Sequence, residues 1–421
     1  MKHLFLFGSL LLALSAPAAG PVDGELERLQ RLVRERNLPF RVGPTEASRV
    51  GVKNLAGLRA PADFNPAGRT RPLPIFFDLP SRWDWTEQGK VSPVTNQRSC
   101  GACWAFATVG PLEASILMDG GPVEDLSEQA LVSCNPWGWG CDGGWWAFDL
   151  FLSPGAALES CQPYTASQNS CKSGCEHPYA IDDWAYVPSS GQDSIEQIKT
   201  AILLYGPVAG ALHASNAFGY YRGGVFTLDE EGDINHGITI VGWDDALGPA
   251  GAWRIKNSWG PDWGEDGFAW VAYGTLQMGY AAAYVIYKRS GGEDAFEPDN
   301  GPAAAKPLEV GTPQEHTLAA DADWFRFRLT PGCTYQIYTF NFLSGTDTLI
   351  ELYDAAGTQR LASNDDYNYD TSVSCLFVTP QEATDYTLKV DEIFDYDSAH
   401  RYLADIKPIR CASWQTHRVQ P

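Results

Sequence analysis

The run Gln97-Arg-Ser-Cys100-Gly-Ala-Cys103-Trp-Ala-Phe106 places a cysteine at the head of an apolar stretch with helical character. A thiol at a helix N-terminus, beside an imidazolium, has its pKa lowered from about 8.5 to roughly 3.5–7.5 and becomes a nucleophilic thiolate. The chemistry open to Cys103 is therefore attack on a carbonyl carbon to form a thioester. Such a nucleophile needs a histidine far downstream in sequence, and beyond it a group that orients the ring. Both exist: His236 heads the β-branched run His236-Gly-Ile-Thr-Ile-Val241, and Trp253-Arg-Ile-Lys-Asn257-Ser-Trp259-Gly260 offers an amide. The competing assignment makes Cys100 and Cys103 a disulfide or half of a zinc site. It lacks its other half, because the sequence has no second Cys-x-x-Cys and no His-x-x-x-His pair. The remaining histidines, His3, His177, His213, His316, His400 and His417, have no such surroundings and read as leader, surface or structural residues.

These segments resemble the papain-like cysteine peptidases. The resemblance implies that Cys103 is the nucleophile, His236 the general base and acid, Asn257 the orienter of the imidazole, and Trp259 a shield over that hydrogen bond. Gln97 stands where the family keeps the side-chain donor of the oxyanion hole, which the Cys103 backbone N–H completes. Further landmarks, Leu126-Ser-Glu-Gln129, Cys141-Asp-Gly-Gly144, Tyr205-Gly-Pro-Val208 and Tyr221-Arg-Gly-Gly-Val-Phe226, extend the likeness over 78–290. It implies an α+β catalytic domain of two lobes. One is helical with Cys103 on its central helix, the other is barrel-like and bears His236 and Asn257, and the cleft lies between them. Gly143 and Gly144 match the backbone that pairs with substrate. Trp145, Trp146, Ala211, Ile234 and Ala283 match the walls of the pocket for the second residue before the scissile bond, where Trp146 also reads as a core residue. None of them is charged, so an apolar residue is expected there. The chain has no room for the additions that make exopeptidases of cathepsins B and C, which favours an endopeptidase. Two other readings use the same residues. A matrix- or surface-binding protein would keep the papain-like region as a scaffold, and a transpeptidase would resolve the thioester with an amine instead of water.

With Cys103 set aside, six cysteines remain in 78–290, and six allow fifteen connectivities. The resemblance selects Cys100 with Cys141, as in the family at large, and Cys134 with Cys171 and Cys161 with Cys175, a pattern most like cathepsin C. Met278 occupies a position that is cysteine in papain, so that bridge is expected to be missing.

Residues 1–19 have the charged start, apolar core and small-residue end of a signal peptide. A secreted protein, extracellular or periplasmic, with disulfides is therefore expected. No later run reaches about 20 apolar residues, so no membrane span is expected. Residues 20–77 read as a propeptide and processing linker: Leu26, Leu29 and Val33 recur at helical spacing among arginines, and Pro72 begins a proline-rich stretch. The segments Phe40-Arg-Val-Gly43 and Leu55-Ala-Gly-Leu58 resemble propeptides of related peptidases. Residues 19–77 hold ten Lys/Arg against six Asp/Glu, whereas 78–290 hold ten against twenty-five. A basic prosegment should therefore lie on an acidic catalytic region and block it. The net charge of -22 excludes a nucleic-acid backbone as partner. Protein or peptide substrates and the chain's own propeptide are the partners expected.

Residues 293–421 change to short alternating strands, at 323–328, 335–339, 348–353 and 386–390, and form an all-β region. They resemble the bacterial pre-peptidase C-terminal domain, which implies a β-sandwich appended to the enzyme. It is a candidate for holding an extracellular matrix or surface polymer. Glu297, Asp299, Asp321, Asp365 and Asp366 offer the oxygen ligands that calcium takes, or else form turns on a solvated acidic face. The acyl-transfer chemistry itself requires no cofactor. Cys333, Cys375 and Cys411 are an odd set, which points to one bridge and one free thiol with the partners left open.

Overall fold

The computed structural model describes residues 21–62, 64–71, 73, 79–188, 194–288, 296–318, 322–341, 347–365, 374–392 and 400–411. The expected signal peptide over 1–19, linker residues 72 and 74–78, and Asp321, Asp366 and His417 lie outside these.

Residues 21–55 fold as α1 (Pro21–Glu35), β1 (Phe40–Val42), α2 (Glu46–Val50) and α3 (Val52–Leu55). Helical spacing buries Leu29 and packs Leu26, Leu32 and Val33 at the core's margin, while Arg28, Arg31 and Arg34 face water. Thr45 starts α2 with a reciprocal cap: its hydroxyl accepts the Ser48 N–H, and Ser48 Oγ accepts the Thr45 N–H, both at 2.9 Å.

The catalytic region contributes β2 (Arg82–Asp84), β3 (Ile181–Tyr186), β4 (Val208–Leu212), β5 (Tyr221–Phe226), β6 (His236–Asp244), β7 (Ala252–Lys256), β8 (Phe268–Ala272) and β9 (Tyr280–Tyr287). With β1 they make one sheet in the order β1-β5-β8-β7-β6-β4-β9-β3, with β2 pairing to β6. Strand β1 thus adds an edge to the catalytic sheet through antiparallel pairing with β5. The helices are α4 (Cys103–Met118), α5 (Glu128–Cys134), α6 (Asp149–Leu152), α7 (Ser194–Tyr205) and α8 (Asn216–Gly219). Every residue of α4 from Cys103 to Leu117 is buried, as expected of a helix apolar on nearly all sides. It packs across β4, β6 and β9, and α7 also packs on β6. The β-branched run after His236 is consequently buried at eight successive positions, both faces of the strand being covered.

A buried polar link ties the two sides together. Lys256 Nζ, at the end of β7, donates to Ser92 Oγ (2.7 Å), Ser92 Oγ donates to Glu113 Oε2 on α4, and the Leu126 N–H donates to Glu113 Oε1 (3.0 Å). Burial raises the Glu113 carboxyl and lowers the Lys256 ammonium from their ordinary values.

Disulfides join Cys100–Cys141, Cys134–Cys171, Cys161–Cys175 and Cys333–Cys411, and Cys103 and Cys375 are buried free thiols. The C-terminal region holds β10 (Lys306–Pro307), β11 (Gln314–Leu318), β12 (Asp323–Leu329), β13 (Cys333–Asn341), β14 (Thr348–Asp354), β15 (Arg360–Asn364), β16 (Cys375–Val378), β17 (Thr384–Glu392) and β18 (His400–Cys411). They form two sheets, β10-β12-β17-β14-β15 and β11-β18-β13-β16. Phe325, Leu352 and Leu388 of one sheet share a core with Ile337, Tyr402 and Ile406 of the other. Phe340 and Leu403 leave that core and pack into the catalytic one, where Phe340 lies 6.2 Å from the ring of Tyr205.

Candidate active site

The turn that carries Cys103 is fixed before α4 begins. The Cys100–Cys141 bridge closes it, and the Gly101 N–H donates to the Cys141 carbonyl at 3.0 Å. Gln97 is fully buried. Its Oε1 accepts from Ser258 Oγ (2.8 Å), and its Nε2 donates to the Cys100 carbonyl (2.8 Å) and to the Leu55 carbonyl of the prosegment (2.9 Å).

His236 and Asn257 stand at the start of β6 and just past the end of β7, adjacent strands of the sheet. Asn257 Oδ1 can only accept; it takes the Ser258 N–H and the His236 Nε2–H, each at 2.8 Å. That tautomer leaves the lone pair on Nδ1, a buried atom with no hydrogen-bond partner among the described residues. The Trp259 ring lies over the imidazole at 4.6 Å between centroids and is itself held by Trp263 and Phe218. Trp259 therefore covers the His236–Asn257 bond and belongs to the sheet-side core, apart from the pocket walls.

Residues 55–59 run through the cleft. The Gly57 N–H points at Cys103 Sγ (3.4 Å), and the Gly57 carbonyl accepts the Gly144 N–H (3.0 Å). Leu58 donates to the Asn235 carbonyl and Arg59 to the Gly144 carbonyl, both at 2.9 Å. A Cβ on Gly57 would stand 1.7 Å from the Gly101 carbonyl oxygen, so only glycine permits this approach. Under this cover the Cys103 thiol is pushed up to about 11, mainly by burial and against the N–H groups of Gly237 and Gly57. Burial likewise pushes the His236 imidazole down to about 4, although its bond to Asn257 opposes the shift. Both groups are thus neutral while the cleft is filled.

Leu58 lies buried in one cluster with Trp145, Trp146, Ala211 and Ala283, and Ile234 packs at its edge. Gly143 and Gly144 run alongside. Trp145 Nε1 donates to the Tyr186 hydroxyl (2.9 Å) and Trp146 Nε1 to the Ala281 carbonyl (3.0 Å), so each ring both faces this cluster and is pinned to the sheet behind it. Sequence reasoning did not single out Gly57 as the residue over the thiol, nor Tyr186 and Tyr280 beside Trp145. A glycine between apolar residues in an otherwise helical prosegment was the available signal for the first; the aromatics carry none, since nothing local marks a strand-end tyrosine.

Of the other candidates, His177 and His213 are surface residues bonded to the carbonyls of Gly155 and Asp233 (2.8 Å each), and His316 is buried between Phe296 and Phe325. Glu297 and Asp299 meet Asp323 with carboxylate oxygens within 4.8 Å of one another, and Asp365 is outside that group. Asp323, absent from the set read from sequence as ligands, takes its place there.

Residues 79–288 match the model of the papain family cysteine proteases. Cathepsin L2 of Homo sapiens is 35% identical over 214 residues, covering 47% of this chain and 62% of that protein. Zingipain-2 of Zingiber officinale is 37% identical over 196 residues, covering 45% of this chain and 86% of that one. Oryzain gamma chain of Oryza sativa is 34% identical over 281 residues, covering 63% and 76%. Among solved structures, digestive procathepsin L2 proteinase from Tenebrio molitor larval midgut superposes with a TM-score of 0.57 at 29% identity, over 62% of this chain and 89% of that one. The recombinant stem bromelain precursor does so with a TM-score of 0.53 at 29% identity, over 62% and 89%. The chain belongs to the papain family of cysteine proteases. It spans less than two thirds of cathepsin L2, and the family match ends at 288, before the C-terminal sheets. Among the described residues no helix is long and apolar enough to cross a membrane.

Proposed function

We propose that this chain is the precursor of a secreted cysteine endopeptidase, with residues 20–77 as its inhibitory propeptide and 78–290 as its catalytic domain. The observation that carries the reading is a peptide segment laid along the cleft, with the Gly57 N–H on Cys103 Sγ and the Leu55 carbonyl on Gln97 Nε2. Once the segment leaves, water returns and the thiol proton passes to His236 Nδ1, giving a thiolate and an imidazolium. The thiolate adds to a substrate carbonyl, and the oxyanion is held by Gln97 Nε2 and the Cys103 N–H. His236 gives its proton to the leaving amine, which departs as the thioester forms. It then takes a proton from water, whose hydroxide attacks the thioester, releases the acyl group as the carboxylic acid and returns the Cys103 thiolate beside protonated His236, while Asn257 keeps the ring in place. Leu58 in the cluster of Trp145, Trp146, Ala211, Ile234 and Ala283 supports an apolar preference at the second residue before the cleaved bond.

The C-terminal sheets are read as a β-sandwich of the pre-peptidase C-terminal type that holds the enzyme to an extracellular matrix or surface polymer. Glu297, Asp299 and Asp323 fit calcium in donor type, since each offers a carboxylate oxygen and the three lie within 4.8 Å of one another. A rise in melting temperature with added calcium, absent in Asp323→Asn, checks that assignment.

The test of the main reading incubates the precursor at mildly acidic pH with reductant and an epoxide that alkylates activated thiols, with Cys103→Ala as control. Loss of mass up to about residues 72–78 with label on Cys103 is expected. An unchanged mass and unlabelled Cys103, even after added protease, would leave the scaffold reading in its place.

A further inference from the structure

Phe64, six residues beyond Leu58, rests in an aromatic cradle that the acyl-transfer chemistry does not use. Its ring lies 4.9 Å from Trp145, 5.5 Å from Tyr186 and 6.1 Å from Tyr280, meeting the first two edge-on. The cradle belongs to the catalytic region and is anchored by contacts that do not involve Phe64. Trp145 Nε1 donates to the Tyr186 hydroxyl, and Tyr186 pairs with Ala283 of β9, the strand that Tyr280 begins. Ala281 holds a φ of 48°, and its carbonyl takes the Trp146 Nε1–H, which fixes the turn from which Tyr280 projects. Tyr280 is 46% exposed even with Phe64 in place.

We propose that, in the enzyme freed of its prosegment, Trp145, Tyr186 and Tyr280 form a second specificity site that takes an aromatic side chain of the peptide substrate. The inference rests on the endopeptidase reading above. Trp145 joins both sites: it belongs to the cluster around Leu58 and is the nearest ring to Phe64. The prosegment passes from Gly57 over the thiol, to Leu58 beside Gly144, to Phe64 in the cradle, so the cradle lies farther from Cys103 along the cleft than the apolar pocket. A substrate with an apolar residue in that pocket meets the cradle with residues on its N-terminal side. The site therefore selects peptides in which an aromatic residue precedes the apolar one.

The experiment uses enzyme activated by removal of its prosegment and acetyl-capped peptides with leucine second before the cleaved bond. Phenylalanine or alanine is placed in turn at each of the positions N-terminal to the leucine; the acetyl cap avoids an aromatic blocking group that would itself enter the cradle. A preference for phenylalanine of about ten-fold in kcat/KM is expected at one of these positions, carried mainly by KM. Tyr280→Ala should bring that ratio close to one, and Tyr280→Phe should keep it. No aromatic preference at any position, or one that survives Tyr280→Ala, overturns the proposal. If the alanine peptides are not cleaved and Cys103 is not alkylated, the endopeptidase reading fails and this site falls with it.

Discussion

Replacing Gly57 by alanine should unlock the cleft of the intact precursor. The added methyl would sit 1.7 Å from the Gly101 carbonyl oxygen and 2.4 Å from its carbon, and these are backbone atoms tied to Cys141 by a hydrogen bond and to the Cys100 bridge. The catalytic turn cannot yield, so the prosegment must. Its hold near this point consists of the hydrogen bonds from Gly57 to Cys103 Sγ, Gly144 to Gly57, Leu58 to Asn235, Arg59 to Gly144 and Gln97 to Leu55. With a net worth of about 0.5–1.5 kcal/mol each, losing most of them costs about 2–5 kcal/mol, and the lower end is roughly 30-fold in the open fraction. The assay is the rate at which an epoxide alkylates Cys103 in the unprocessed precursor, with mass spectrometry verifying that the prosegment is still attached. Wild type should label slowly because the thiol is buried and neutral; Gly57→Ala should label at least about 30-fold faster. Gly68→Ala is the control, since nothing lies within 4 Å of its Cβ. A Gly57→Ala precursor that melts normally and labels at the wild-type rate would refute the reasoning.

Lys256→Met removes the ammonium facing Glu113 and should cost about 3–5 kcal/mol at neutral pH. The raised Glu113 carboxyl then keeps a proton that the unfolded chain releases above its ordinary value of 4.5, so the loss should grow as pH rises past that value, as melting at pH 5 and 7.5 would show. Cys411→Ser opens a bridge of sequence separation 78, and loop entropy predicts a loss of about 4 kcal/mol from the C-terminal sheets, read by calorimetry, with Cys103 labelling unchanged. Asp183 pairs with both Arg69 and Arg71 of the prosegment, partly exposed contacts worth about 0.5–1 kcal/mol each. Asp183→Asn should speed precursor labelling at neutral pH about five- to thirty-fold.

The helix from Cys103, the strand from His236 and four C-terminal strands were legible because each is a run whose period or capping is local. The strand at His236 read as a β-branched run, but its burial at eight of nine positions was not legible, since α4 and α7 cover it from both sides and only the packed chain supplies that information. The same limit hid the cleft. Leu55-Ala-Gly-Leu58 read as propeptide-like, yet which residue crosses the thiol depends on a backbone approach between residues far apart in sequence, Gly57 and Gly101. The acidic set at the C-terminal end shows the converse. Composition nominated five carboxylates, and the fold gathers two of them with Asp323, which β12 brings beside Asp299 through the Trp324 N–H to Asp299 carbonyl bond of 3.0 Å.

The shifts at Cys103 and His236 also constrain how the precursor responds to pH. Alone, an imidazole pushed down to about 4 would favour release as pH falls from its ordinary 6.5, because the open form binds the proton that the closed form refuses. Alone, a thiol pushed up to about 11 would favour release as pH rises beyond its ordinary 9.0. The two do not act alone. The closed pair holds one proton on sulfur; the open pair holds one proton on nitrogen. Opening moves that proton without taking one from water or giving one up, so through the neutral range and down toward pH 4 the pair contributes no pH dependence. The segment is also held by charge away from the nucleophile. Arg69 and Arg71 on Asp183, with Arg69 also 3.6 Å from Asp149, are the ion pairs at the end of the prosegment beyond Phe64. Desolvation of the nucleophile and the charged latch are therefore separable, the first set at Gly57 and the second at Asp183.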